Sequence, residues 1–169
     1  MKSLANQPFP ALTLVAGLSL LTACTPKLNI EKLEGLVKKE FAEQTGIAVK
    51  AVTCPEDIKI EAENAFDCDI EAEDGQKLKA KVTQKDDEGN VKWDANEGLI
   101  SLTAVEQSIQ DGFQKQKANV TADCGGKFKI AFQGDTFTCA VKDAKDQMGE
   151  VEVTVNDNKG SINWKLLKS

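Results

Sequence analysis

Five cysteines hold most of the chemistry open to this chain, and their spacing divides them as one, two and two. Cys24 closes the run Leu21-Thr22-Ala23-Cys24. Cys54 and Cys68 form one near pair, Cys124 and Cys139 a second. A thiol can act as nucleophile, metal ligand or half of a disulfide. The chain has no His, which removes Ser–His and Cys–His dyads and any imidazole base. No Cys-x-x-Cys spacing occurs either, so zinc is disfavoured. Oxidation within each pair is the expected chemistry, joining Cys54 to Cys68 and Cys124 to Cys139. Free or metal-binding thiols are the alternative, and a Cys54–Cys124 link would overturn the expectation.

Other catalytic patterns are missing too. There is no Ser-x-x-Lys and no glycine-rich phosphate loop. Asp and Glu total 27, but they alternate along strand and helix positions as on a solvated face rather than as a catalytic pair. Asp86-Asp87-Glu88-Gly89 and Asn156-Asp157-Asn158 are candidate calcium loops. Neither has the Asp-x-Asp-x-Asp-Gly spacing, and turn chemistry accounts for both. The expectation is no enzyme, no catalytic residue, no metal and no cofactor.

The elements around the cysteines come next. Residues 1–23 look like a leader: Lys2 is the only charge, and Ala11 to Ala23 is too short to span a bilayer of roughly 30 Å as a helix. Leu-Thr-Ala-Cys resembles the lipobox of bacterial lipoproteins, which implies cleavage before Cys24 and lipid on its thiol. An ordinary secretory leader would instead leave an odd free cysteine. Residues 24–29 would then be a lipidated tether. Removing Lys2 takes the net charge from −6 to −7, and every basic residue is Lys. An acidic chain without Arg lacks the footprint for nucleic acid. It also lacks a polybasic patch for anionic lipid, so membrane attachment would rest on the acyl chains of Cys24.

The second half of the chain can be laid over the first. Cys54 matches Cys124, Ile60 Ile130, Phe66 Phe137, Cys68 Cys139, Val82 Val153, Gly89 Gly160 and Trp93 Trp164, while Leu33, Val37 and Phe41 match Val105, Ile109 and Phe113. All offsets lie between 70 and 72 residues. This predicts an α+β chain of two tandem repeats, 30–97 and 98–169. Each would pack one N-terminal helix on a four- or five-stranded antiparallel meander with one internal disulfide. Asn29 and Gly46 are expected to cap the first helix, and Thr103 with Glu106 to form a capping box on the second. Gly112 inside that second helix should cost about 1 kcal/mol relative to Ala. Alternation predicts strands at Ile58–Ile60, at Leu78 to Val82 and at Val151 to Val155. Asn96-Glu97-Gly98 is the expected linker.

The ordered set Cys54-Pro55, Phe66-Asp67-Cys68 and Gly89-x-Val91-x-Trp93 resembles the bacterial domain-of-unknown-function family 4333, small secreted domains common in lipoproteins. The resemblance spans roughly 30–95 and again 102–166. The second copy departs from it, with Gly125 in place of the Pro and Ile162 in the Val place. The likeness implies a fold and an envelope location, but no activity. In architecture alone, tandem helix-plus-sheet units also build secreted beta-lactamase inhibitors.

Two features bear on binding. Trp93 and Trp164 stand at apolar phases of their strands and are expected in the core, with glycan platforms as the alternative. At matched outward positions Lys79 faces Glu150, and Lys81 faces Glu152, in sign. That contrast suggests a basic and an acidic patch, presented either to each other or to a bipolar partner; drift on a solvated face is the alternative. The overall expectation is a lipid-anchored protein of the bacterial cell membrane or outer membrane, facing outward. It would act as a non-catalytic interaction module on an envelope protein partner. A small-ligand or glycan binder, and an enzyme inhibitor, are the alternative readings.

Overall fold

The computed structural model describes residues 26–95, 97–145 and 147–167. Cys24 and the leader lie outside the described residues. Among the described residues no helix is long and apolar enough to cross a membrane.

Helix α1 (Ile30–Thr45) forms where expected. Asn29 accepts the Lys32 N–H at 2.9 Å, and Gly46 closes the end in the left-handed region at φ 76°. Leu33, Val37 and Phe41 fall on one face and are buried. They pack into a core with residues from β1 (Val49–Thr53), β2 (Ala65–Ala72) and β3 (Lys77–Gln84), among them Val52, Ile70, Leu78 and Val82. With β4 (Val91–Asp94) these strands form an antiparallel sheet in the order β1-β2-β3-β4.

After β5 (Leu99–Ser101), α2 (Leu102–Lys115) buries Leu102, Val105 and Ile109. Its second sheet has the order β10-β9-β8-β6, from β6 (Val120–Asp123), β8 (Thr136–Asp143), β9 (Met148–Val155) and β10 (Ile162–Leu166). Val151, Val153 and Val155 point into its core, and Glu152 and Thr154 alternate with them on the other face.

Three expectations are corrected. Ser101, not Thr103, caps α2, and Glu106 closes no capping box; its Oε1 accepts the Cys124 N–H at 2.8 Å. Ile58–Ile60 adds no strand to the first sheet. It instead bridges to the segment before α1: the Leu28 N–H donates to Ile58 O and the Ile60 N–H to Pro26 O. The second sheet is not a plain meander, because β7 (Phe128–Ile130) leaves it to pair with β5.

That β5–β7 pair joins the two halves. Ile130 is 2% exposed and buried in the first core, with Leu99 and Phe132 packed partly against it. The expected linker is bonded rather than slack. Gly98 donates to Asn158 O and accepts from the Ala131 N–H. A β-carbon on Gly98 would stand 2.3 Å from the Phe132 ring.

Gly112 has a reason that periodicity does not carry. A β-carbon there would lie 2.2 Å from Trp164 Cζ2, and Trp164 stacks on Phe113 with ring centroids 5.3 Å apart. At the matched place α1 carries Glu40, whose Oε2 accepts the Trp93 indole N–H at 2.7 Å. Gly112→Ala should therefore destabilise the fold. Overpacking of about 1–3 kcal/mol outweighs the roughly 1 kcal/mol gained in helix propensity. A higher melting temperature for this variant would refute that account.

Candidate interaction face

Both expected disulfides are present: Cys54–Cys68 and Cys124–Cys139, with Cα atoms 4.2 and 4.3 Å apart. Each joins the end of one strand to its neighbour, with Cys68 and Cys139 fully buried. Both are tied to their helix by a carboxylate that sequence reading missed. Glu34 accepts the Cys54 N–H at 2.8 Å, as Glu106 does for Cys124. The only sequence signal was that two Glu residues share the helix offset.

Antiparallel register places the charged residues. Glu71, Asp69 and Asp67 on β2 stand opposite Lys77, Lys79 and Lys81 on β3. Their side chains alternate to the face away from the helix. Lys79 Nζ donates to Asp69 at 2.8 Å, Lys77 lies 3.3 Å from Glu71, and Lys50 reaches Glu71 from β1 at 2.6 Å. Lys81 is also opposite Asp94 on β4. The hydrogen bond from Lys79 to Asp69 raises the Lys79 pKa. The bonds from Lys50 and then Lys77 lower that of Glu71. These groups are solvated, so each pair stabilises weakly.

The first face is thus a ladder of alternating sign rather than a basic patch. Its β4 side opens into a cleft of about 560 Å³ lined by Asp67, Lys81, Lys92 and Asp94, among others. The second sheet is sparser. Glu152 pairs with Lys165 at 2.6 Å and stands opposite Thr138. Glu150 stands opposite Ala140. No contact among the described residues joins Lys79 or Lys81 to Glu150 or Glu152. The sign contrast at the matched positions survives, and the carboxylates opposite the lysines have no counterpart on the second sheet.

The two tryptophans are half-buried, each packed on its core beside a helix phenylalanine; the Phe41 and Trp93 centroids are 6.0 Å apart. The acidic loops act as turns. Asp86 accepts from the Glu88 and Asn90 N–H groups, and Asp157 from those of Lys159 and Ser161. Among the described residues no three Cys, Asp or Glu side chains converge as a cation site would require.

Bonds to the Asn90 side chain first, and then to backbone, hold the Asp86 carboxyl below its usual range. Ser161 does the same for Asp157, and Lys27 for Asp57. A pKa lowered by folding adds stability above the unfolded value, and that stability is lost as pH falls through the folded one. The melting temperature should therefore hold from neutral pH to the ordinary carboxylate range near pH ~4 and fall below it. Asp157→Asn should flatten that fall; an unchanged acid slope would remove Asp157 from the account.

A family model described as a domain of unknown function, DUF4333, matches residues 13–89. The match takes in α1, the Cys54–Cys68 pair and β1 to β3, ends at the Gly89 turn, and does not reach the second half. No curated protein and no solved structure matches the chain.

Proposed function

We propose, from the run Leu21-Thr22-Ala23-Cys24 and the offset of 70 to 72 residues between the halves, that this chain is a lipid-anchored protein of the bacterial envelope, built from two copies of one unit. It acts as a non-catalytic interaction module. The repeat reading is supported by a common run of helix, strand, cysteine and three further strands of the same sheet, with β7 inserted before them in the second half. It is supported again by the Glu34–Cys54 and Glu106–Cys124 bonds and by a Phe–Trp pair in each half.

The observation that carries the interaction reading is the three-rung charge ladder of β2 and β3. Charges fixed in register on a solvated sheet add little to stability, yet they define a pattern that a complementary surface can match. Trp164 favours this reading over a glycan platform, because it stacks on Phe113, while Trp93 is tilted against Phe41 and spends its indole N–H on Glu40.

The test is cross-linking of the full chain in cells, with mass spectrometry of the captured proteins. One dominant envelope protein, lost on Lys79→Glu with Lys81→Glu, is the expected result. Capture unchanged by the reversal would end the ladder's role. Co-purified glycan or lipid without a protein would favour the ligand-binding alternative.

A further inference from the structure

The two halves differ most at one place. Between the last turn of α2 and the far end of the second sheet lies a mainly apolar cleft of about 490 Å³, lined by Phe113, Val120, Val141, Met148, Gly149 and Leu166 among others, with Asp143 and Gln147 as its polar lining. Met148 is 64% and Leu166 55% exposed. The matched places in the first half are closed. Phe41 and Val49 are buried where the half-buried Phe113 and Val120 line the cleft, while Ile70 and its match Val141 are both buried. Leu78 fills the core at the place of Gly149, where a β-carbon would stand 3.3 Å from Val141 Cγ2 and 3.8 Å from Leu166 Cδ1, and Ala95, at the place of Leu166, is 8% exposed. Helix α1 also runs 16 residues against 14 for α2.

Ala95 marks where the chain leaves the first sheet for β5. Within a few residues, Leu99, Ile130 and Phe132 of the second half pack against the first core. Among the described residues, the second core is built from residues of its own half and ends in the open cleft. Ahead of α1, Pro26–Leu28 bridges to Ile58–Ile60. This pairing is the counterpart of β5–β7, with Ile60 in the place of Ile130. Leu28, Ile58 and Ile60 are only half-buried there.

We infer that the cleft at Gly149 receives the Leu28–Ile58–Ile60 end of a second copy of this chain, as the first core receives Leu99, Ile130 and Phe132 within one copy. The inference rests on the two-copy reading of the halves. Such a contact joins unlike surfaces, so it extends into a row of molecules unless the geometry closes it. Exposed Met and Leu side chains around a shallow apolar hollow suit a protein surface.

The test places a photo-cross-linking amino acid at position 148 of the full chain in cells co-expressing two tagged copies, with position 36 on α1 as control. The expected adduct joins position 148 of one copy to a peptide containing residues 26–28 or 58–60 of the other. Gly149→Leu puts into the cleft the side chain that Leu78 carries, and should cut that adduct about tenfold or more. No such adduct, an adduct to other segments or to another protein only, or one unchanged by Gly149→Leu would overturn the inference. The same variant separates the two readings. A β-carbon at 149 meets Val141 Cγ2 at 3.3 Å, so leucine needs the neighbour to shift toward the arrangement that Leu78 has. A variant that keeps its fold while the adduct is lost supports both readings, and one that no longer folds counts against the copies themselves.

Discussion

Gln84→Ala should lower the free energy of unfolding by about 3 kcal/mol, a large share of the stability of a small domain. Gln84 is fully buried at the end of β3. Its Nε2 donates to Lys59 O at 2.8 Å, and its Oε1 accepts the Glu61 N–H at 3.1 Å. Its backbone binds the same loop, donating to Asn64 O and accepting from Glu63. Removing the amide leaves a backbone acceptor and donor without partners and opens a cavity. At the matched place Val155 is buried with no side-chain polar group, so the polar residue answers a need of the 59–64 loop alone. Denaturant unfolding measures the effect; a loss under about 1 kcal/mol would mean that the loop is held by other means.

Removing either disulfide should cost a similar amount. Cys124→Ala with Cys139→Ala opens a loop spanning 15 residues, and the chain-entropy model puts that at about 3 kcal/mol. The Cys54–Cys68 pair spans 14 and should behave alike. The helices should feel the loss as well, because Glu34 and Glu106 bind backbone at these bridges. Thermal unfolding of each double variant, with and without reductant, checks this. Reductant should lower the melting temperature of the parent chain markedly, and that of either variant by less.

Local signals were legible because they act over one turn or one pleat. Asn29 and Gly46 bracket α1, Leu33, Val37 and Phe41 mark its face, and alternation in β3 and β9 names the inward residues. The disulfides followed from spacing and the absence of other thiol chemistry. What was lost depends on distant partners. Ile58 and Ile60 alternate like a strand, yet their segment pairs with Pro26–Leu28, and Gln84 fills the gap behind it. Thr103 and Glu106 fit a capping box, but Glu106 is drawn to Cys124, and Ser101, at the end of β5, takes the cap. Lys79 and Lys81 were rightly read as outward. The carboxylates that oppose them, Asp69 and Asp67, become visible only once the hairpin register is known, and they make the face a ladder rather than a patch.

The bridge between Pro26–Leu28 and Ile58–Ile60 sets how the molecule would ride on its anchor. With lipid on Cys24, as proposed, only Thr25 would separate the acylated residue from backbone already fastened to the body. One residue spans about 3.5 Å. That is a mount rather than a leash. The protein would keep one bearing relative to the bilayer and sweep little volume above it. Neighbours diffusing in the same membrane would meet the same side of it at every collision.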